Sequence, residues 1–285
     1  MSTQAIPSRR MAGFGLIELM IAMVLGLLVL GAAFAVFQSN QRTYGANEGL
    51  NRMQESARVA YEMMSRDIRA TGSSACSNEA RVMGTDQTSL DFRQPIGGDA
   101  TTLTLTSADD LSYRVSNATA SSVTLTEDNP VASDIFKADD IVMVCNAAMT
   151  GFVEVASTAG RVVTFKTSLE FDPSDTTNAA AGSISIARMR SSRWYVAPNP
   201  RGGSSLFVSR FNGAGEEVAE GVQGLAMMFH QTSGGTPEAY QATPTDWAYV
   251  NAVRMTLQLN SQQQIDNAAL TRNAATVIGI RSRTP

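Results

Sequence analysis

Between Phe14 and Phe37 the chain reads FGLIELMIAMVLGLLVLGAAFAVF, 24 residues with one charge, Glu18, and no proline. A helix of that length reaches about 36 Å, enough to cross the roughly 30 Å hydrocarbon core of a bilayer. The polar stretch ahead of it, MSTQAIPSRRMAG, carries Arg9 and Arg10 and no acid. By the positive-inside rule that end stays in the cytoplasm and the remainder of the chain lies outside.

An ordinary signal peptide has an apolar core of about 7–15 residues before a small-x-small cleavage site, and this run is too long for one. Ser8-Arg9-Arg10 suggests a twin-arginine export signal. Against that, Ala12 and Gly13 follow where bulkier apolar residues are expected, and an acid interrupts the run. A plain membrane anchor fits the length but gives no reason for Glu18. A carboxylate inside a membrane helix costs about 2.5–3.5 kcal/mol at mid-bilayer, which makes Glu18 a functional candidate. If the chain is cut after Gly13, Phe14 becomes the N-terminal residue and Glu18 the fifth. Glu18 of one subunit then reaches the α-amino group of a neighbour's Phe14, and each buried charge is compensated only when subunits stack.

Gly13-Phe14-Gly15-Leu16-Ile17-Glu18 resembles the processing site of type IV pilins and pseudopilins. The resemblance implies that a prepilin peptidase cuts after Gly13 and N-methylates Phe14. Gly15 departs from the usual threonine, and the 13-residue leader is longer than many. Losing it, with Arg9 and Arg10, takes the formal charge from −4 to −6. Further along, NRMQESARVAYEMMSRDIRATG and then Cys76 look like the PilW family of minor pilins. That likeness covers residues 14 to about 76, with weaker support from Val253–Ser261 and Thr276–Arg283. It implies an α+β fold in which a long N-terminal helix packs on a β-rich antiparallel head. The expected division is a leader over 1–13, a membrane and assembly helix over 14–37, its amphipathic continuation over 38–71, and a periplasmic head over 72–285. The partners it implies are the prepilin peptidase, other minor and major pilins, and the inner membrane, with the subunit later in a pilus fibre or at its base or tip.

Beyond Phe37 the sequence turns polar but keeps a helical period. Tyr44, Leu50, Met53, Ala57, Ala60, Met64 and Ile68 recur mostly at spacings of three and four, one face of an amphipathic helix. Gly26, Gly31, Gly45 and Gly49 each weaken a helix by roughly 1 kcal/mol and read as places to bend or melt. Gly72 reads as the stop.

From residue 88 onward the pattern is short alternating runs rich in Thr, Val and aromatics, separated by Gly, Asn, Asp and Pro, which argues antiparallel sheet. The expected strands are 102–105, 111–115, 122–126, 141–145, 152–156, 162–166, 184–190, 193–197, 206–211, 225–230 and 252–259. Segments 172–183 and 231–246 read as surface loops, and a division into two β subdomains near 172–182 stays open. Cys76, just past the helix, and Cys145, at a strand end, are the only cysteines; outside the cytoplasm they are expected to form a disulfide.

Signals for catalysis are absent. His230 is the single histidine and lies in the apolar run LAMMFH, where a core or edge role is expected. Gly202-Gly203 and Gly234-Gly235 read as turns, as do Asp109-Asp110, Asp139-Asp140 and the acids of Asp172–Asn178. No enzyme activity, cofactor or metal is expected. A net charge of −4 without a basic run argues against nucleic acid. The leading expectation is a cleaved pilus subunit, assembling head to tail into a filament. The alternatives are a GspJ-type pseudopilin of type II secretion and a periplasmic binding or adhesive module on an uncleaved anchor.

Overall fold

A computed structural model describes residues 15–77, 80–175, 183–211, 213–233, 236–237, 239–265 and 268–283. It is an α+β arrangement built on α1 (Leu16–Ala70), one unbroken helix of 55 residues, about 82 Å long. Residues 15–44 are all exposed, and packing starts at Gly45. From there Gly45, Gly49, Met53, Ala57, Ala60, Met64, Asp67 and Ile68 are buried, a single file at steps of three and four.

This file differs from the expected one at its N-terminal end. Tyr44 is 74% exposed, and the buried places there belong to Gly45 and Gly49. Neither glycine bends or melts the helix. A Cβ on Gly49 would stand 3.3 Å from Ser261 Cβ, so the missing side chain lets helix and sheet approach closely, and packing offsets the propensity cost. Gly26 and Gly31 are helical too. The stop falls where expected: Gly72 has φ +69, and a Cβ there would lie 2.9 Å from Pro95 and Ser282.

After the helix come β1 (Arg81–Val82), α2 (Gln87–Arg93), β2 (Ile96–Gly98), β3 (Leu103–Ala118), β4 (Ser122–Leu125), α3 (Ala132–Ile135), β5 (Ile141–Cys145), β6 (Met149–Ala159) and β7 (Val162–Phe165). Then follow β8 (Ile184–Pro198), β9 (Ser204–Arg210), β10 (Gly215–Glu220), β11 (Val222–Ser233), β12 (Thr236–Pro237), β13 (Val250–Ile265) and β14 (Ala268–Gly279). Ten strands form one sheet, nine of them in the order β10-β9-β8-β5-β6-β7-β4-β3-β2 with β1 against β6, and β8 pairs with β3 as well. That extra pairing closes β3, β4, β7, β6, β5 and β8 into a six-stranded antiparallel barrel. Period-two alternation fills its interior with residues such as Val123, Val142, Val144, Val155 and Ile186, and Phe136, just after α3, joins them.

β3 and β8 are each twice as long as the barrel needs. A register shift between Ala108 and Ser112 divides their pairing. On one side of it they belong to the barrel. On the other, Leu103–Ala108 and Met189–Trp194 continue outward, flanked by β2 and β9. This outer portion meets a second, four-stranded sheet, β12-β11-β13-β14. Between them Leu103, Trp194 and Leu206 join Met227, Phe229, Met255 and Leu257, and the buried file of α1 completes this core.

Several strands therefore differ from expectation. Segments 102–105 and 111–115 are one strand, as are 184–190 and 193–197, because a bulge bends a strand without ending it. The expected loop over 231–246 begins as strand: β11 runs to Ser233 and pairs with β12, and Gln241 bridges to Phe229. Most of the expected loop over 172–183 lies outside the described residues. β1 pairs with β6 in parallel over two residues, the one departure from antiparallel pairing among the described strands.

Candidate assembly helix

The apolar half of α1 meets nothing of its own head. From Leu16 to Phe37 its large apolar side chains range from 52% exposed at Leu19 to 79% at Leu16. These 22 residues span about 33 Å, close to a hydrocarbon core. Gln38–Tyr44 then adds about 10 Å of polar, exposed helix, more than enough to pass a headgroup layer, with Thr43 Oγ1 donating to Ser39 O at 3.0 Å. Only past this spacer does the head begin to pack.

Glu18 sits in the first turn of α1, where a carboxylate faces the positive end of the helix dipole. Its N–H donates to Gly15 O at 3.0 Å. Among the described residues no cation stands against its carboxylate. The next charge along the helix is Arg42, 24 residues on and about 36 Å away. Gly13 and Phe14 lie outside the described residues. What the geometry offers is an apolar rod, open on every side, with one carboxylate near its tip. Such a rod is satisfied by lipid or by other helices, and the carboxylate only by a cation brought from elsewhere.

The head end of the helix is fastened by polar contacts that sequence periodicity missed. Asp67 interrupts the apolar file and is 8% exposed. It accepts from Arg190 Nη2 and from Trp194 Nε1, both at 3.1 Å. Arg190 also lies 3.6 Å from Asp110, which pairs with Arg66, while Asp109 accepts from Arg188 at 3.1 Å. Asp109 and Asp110 are thus not turn residues. They lie at the register shift of β3, where the bulge turns two consecutive carboxylates toward arginines of α1 and β8. The one readable signal was an aspartate at a buried helical position, three residues after Met64.

Cys76 and Cys145 are joined, with Cα atoms 6.0 Å apart and a sequence separation of 69. In β5 Val142 and Val144 face the barrel interior, so Met143 and Cys145 face outward. There they meet Phe92, Phe152, Ala187 and Met189. The disulfide ties the segment after α1 to the outer wall of the barrel. At the C-terminus Arg283 donates to Trp247 O at 2.6 Å and Val250 O at 3.1 Å. Burial lowers its affinity for the proton, and the charge of Asp246 partly restores it. Ser282 Oγ donates to Thr71 O at 2.7 Å, locking this turn onto the helix end.

The remaining residues of interest take ordinary places. His230 Nδ1 lies 2.7 Å from Asn251 Oδ1, with its ring against Tyr240. Asp139, at φ 72, and Asp140 form the turn before β5, where Asp140 accepts from Lys137 N at 2.8 Å. Lys166, between Asp139 and Glu154, is pushed up to about 12 by hydrogen bonds to both. Asp172 accepts from Ser174 N at 2.9 Å in a turn; residues 176–178 of that acidic stretch, and Gly234-Gly235, lie outside the described residues. Among the described residues no group of three His, Cys, Asp or Glu could hold a metal ion.

Residues 8–34 match the family model of the prokaryotic N-terminal methylation motif. No curated protein and no solved structure shows significant similarity to the chain. The matched stretch contains Gly13, Phe14 and Glu18 and runs into the exposed half of α1. Motif, helix and β-rich head together make the chain type IV pilin-like, carrying the sequence on which a prepilin peptidase acts and a helix suited to membrane anchoring and to pilin-type partners.

Proposed function

We propose that the protein is a minor pilin: a membrane-inserted prepilin with its head in the periplasm, cleaved after Gly13, N-methylated at Phe14, and assembled into a type IV pilus or its priming complex. The observation that carries this reading is the division of α1. Its methylation-motif half is exposed and apolar on every side and holds one carboxylate, Glu18, while the other half is committed to the head. Assembly follows from apolar packing of residues 14–37 against neighbouring helices. A charge pair between Glu18 and the α-amino group of a neighbour's Phe14 sets the axial register, because each charge is stranded in hydrocarbon without the other. The head has a structural role, with no catalytic step assigned to it.

Intact-protein and N-terminal peptide mass spectrometry of membranes, with and without the prepilin peptidase, tests this. The expected product begins with methylated Phe14 and depends on the peptidase. A chain still carrying Met1–Gly13 would move the reading to an anchored periplasmic module. Glu18→Gln is expected to be processed normally but recovered in reduced amount from sheared fibres. Normal recovery would remove the charge pair from the mechanism.

A further inference from the structure

Among the described residues, the open sheet edges differ in how they treat an approaching strand. Proteins discourage edge-to-edge pairing with short strands, charge, proline or bulges. β2 is three residues long and ends in two glycines, and β12 is two residues long and ends in Pro237. β10 carries Glu216, Glu217 and Glu220 and a register shift in the middle. Arg201 reaches Glu217 and lies 2.5 Å from Glu220; with Ser205 it holds the Glu217 carboxyl below its usual range. β14 is the least defended of these edges, with a single charge and one register shift near its start, opposite Asn260–Gln264. It is 12 residues long, has no proline and one charge, Arg272, and keeps unbroken register against β13 from Thr271 to Gly279.

The groups it leaves open follow from the ladder. Ile280 N donates to Asn251 O at 2.8 Å, so this opposed pair is hydrogen-bonded, and antiparallel alternation gives 253/278, 255/276, 257/274 and 259/272 the same character. The N–H and C=O groups of Thr271, Asn273, Ala275, Val277 and Gly279 therefore point away from β13, and no described residue pairs with them. These five residues are exposed, Val277 at 51%.

The surroundings are cationic. The Tyr61 hydroxyl reaches Ala274 O, which marks the flank of α1 beside β14. Arg58, Ser65 and Arg69 stand at −3, +4 and +8 from Tyr61 and share that flank. Glu62 and Glu55 lie on the same side of the helix, about 20–60° beyond the arginines, so the arginines stand nearer the strand. Arg272 adds its charge within the strand.

We infer that β14 is a docking edge that accepts, as an additional strand, an extended segment bearing acidic side chains from another chain. Main-chain hydrogen bonds to the five open residues supply the affinity, and the flanking arginines select the charge. This surface operates independently of processing at Gly13.

The test uses the full-length protein in zwitterionic detergent. The probes are an eight-residue peptide alternating glutamate with valine and its lysine–valine counterpart. The glutamate peptide should bind saturably and at least tenfold more tightly than the lysine peptide, slowing amide exchange at Asn273, Ala275 and Val277. Ala275→Pro removes an outward N–H without touching the ladder to β13. It should weaken binding at least tenfold with the unfolding midpoint unchanged. Arg272→Glu should narrow or reverse the preference between peptides. Equal binding of the two peptides, absence of saturable binding, undiminished binding by Ala275→Pro, or protection confined to other residues overturns the inference. Should Ala275→Pro unfold, the exchange pattern of the unaltered chain decides. Self-association of the full chain that Ala275→Pro abolishes would replace the proposed occupant with a second copy.

Discussion

From Leu16 to Phe37, α1 turns apolar side chains outward in every direction; from Gly45 to Ile68 it turns a single file inward and surrounds it with charge. Backbone geometry is the same throughout. The angular distribution of the apolar residues differs, and it decides the partner. A stripe is matched by one side of the head, here β13 and β14 together with the outer portion of the ten-stranded sheet. A uniformly apolar cylinder has no preferred face, so lipid or several neighbouring helices satisfy it equally well. The boundary between the two is the polar, exposed spacer Gln38–Tyr44.

This contrast can be tested by placing comparable changes on its two sides and following unfolding in micelles by the fluorescence of Trp194, buried in the core of the head, and Trp247, packed against it. The largest effect is expected where the helix end is stapled to the barrel. Replacing Cys76 and Cys145 together by alanine releases a loop closed over 69 residues and should cost about 4 kcal/mol. Cysteine loss without effect on stability would mean the head does not depend on that junction. Next comes Asp67→Ala, which leaves Arg190 and Trp194 without their shared acceptor and should lower stability by about 3 kcal/mol. Asp67→Asn should recover part of that loss, since an amide oxygen can still accept from Trp194.

Smaller effects discriminate more sharply. Met64→Ala empties a fully buried site and should cost about 2.5 kcal/mol, whereas Met20→Ala in the exposed half should shift the head's unfolding by less than about 0.5 kcal/mol. Similar losses from both would erase the distinction between the halves. Smallest of all are the glycines. Gly26→Ala meets no atom within 4 Å and should stabilise the helix by up to about 1 kcal/mol, read by amide exchange. Gly49→Ala gains the same propensity but crowds Ser261, so its net effect on unfolding should stay within about 0.5 kcal/mol.

How much of this was legible in the sequence depended on how local the cause was. The helix, its stop at Gly72 and the candidate residues Gly13, Phe14 and Glu18 follow from runs and spacings within a few tens of residues. So do most strands, because alternation is written in the strand itself. The barrel was not legible: closure rests on Ser112–Val115 of β3 pairing with Ile184–Ala187 of β8 across about 70 intervening residues, and nothing near either segment announces it. Gly45 and Gly49 were misread because propensity describes an isolated helix: both are buried, and Gly49 has its role only where Ser261 comes close. Asp67 went unread because its partners, Arg190 and Trp194, lie more than 120 residues away in sequence. β14 escaped notice since ALTRNAATV holds few β-branched or aromatic residues. Its strand is imposed by β13 and by the helix above it.

β3 and β8 pass from the outer sheet into the barrel without interruption, and this bears on how load would travel. Where two lobes are joined by a linker, torque on one is absorbed as rotation about the linker. Here a twist applied to the barrel is carried by two continuous backbones, by the ladder between Leu103–Ala108 and Met189–Trp194, and by a covalent strut to the end of α1. Bending the barrel against the helix would require shearing that ladder along its length, with its hydrogen bonds resisting together rather than one at a time. The barrel is accordingly a rigid lever fixed to the helix, able to deliver a push or a pull at its far end to the rod that carries Glu18.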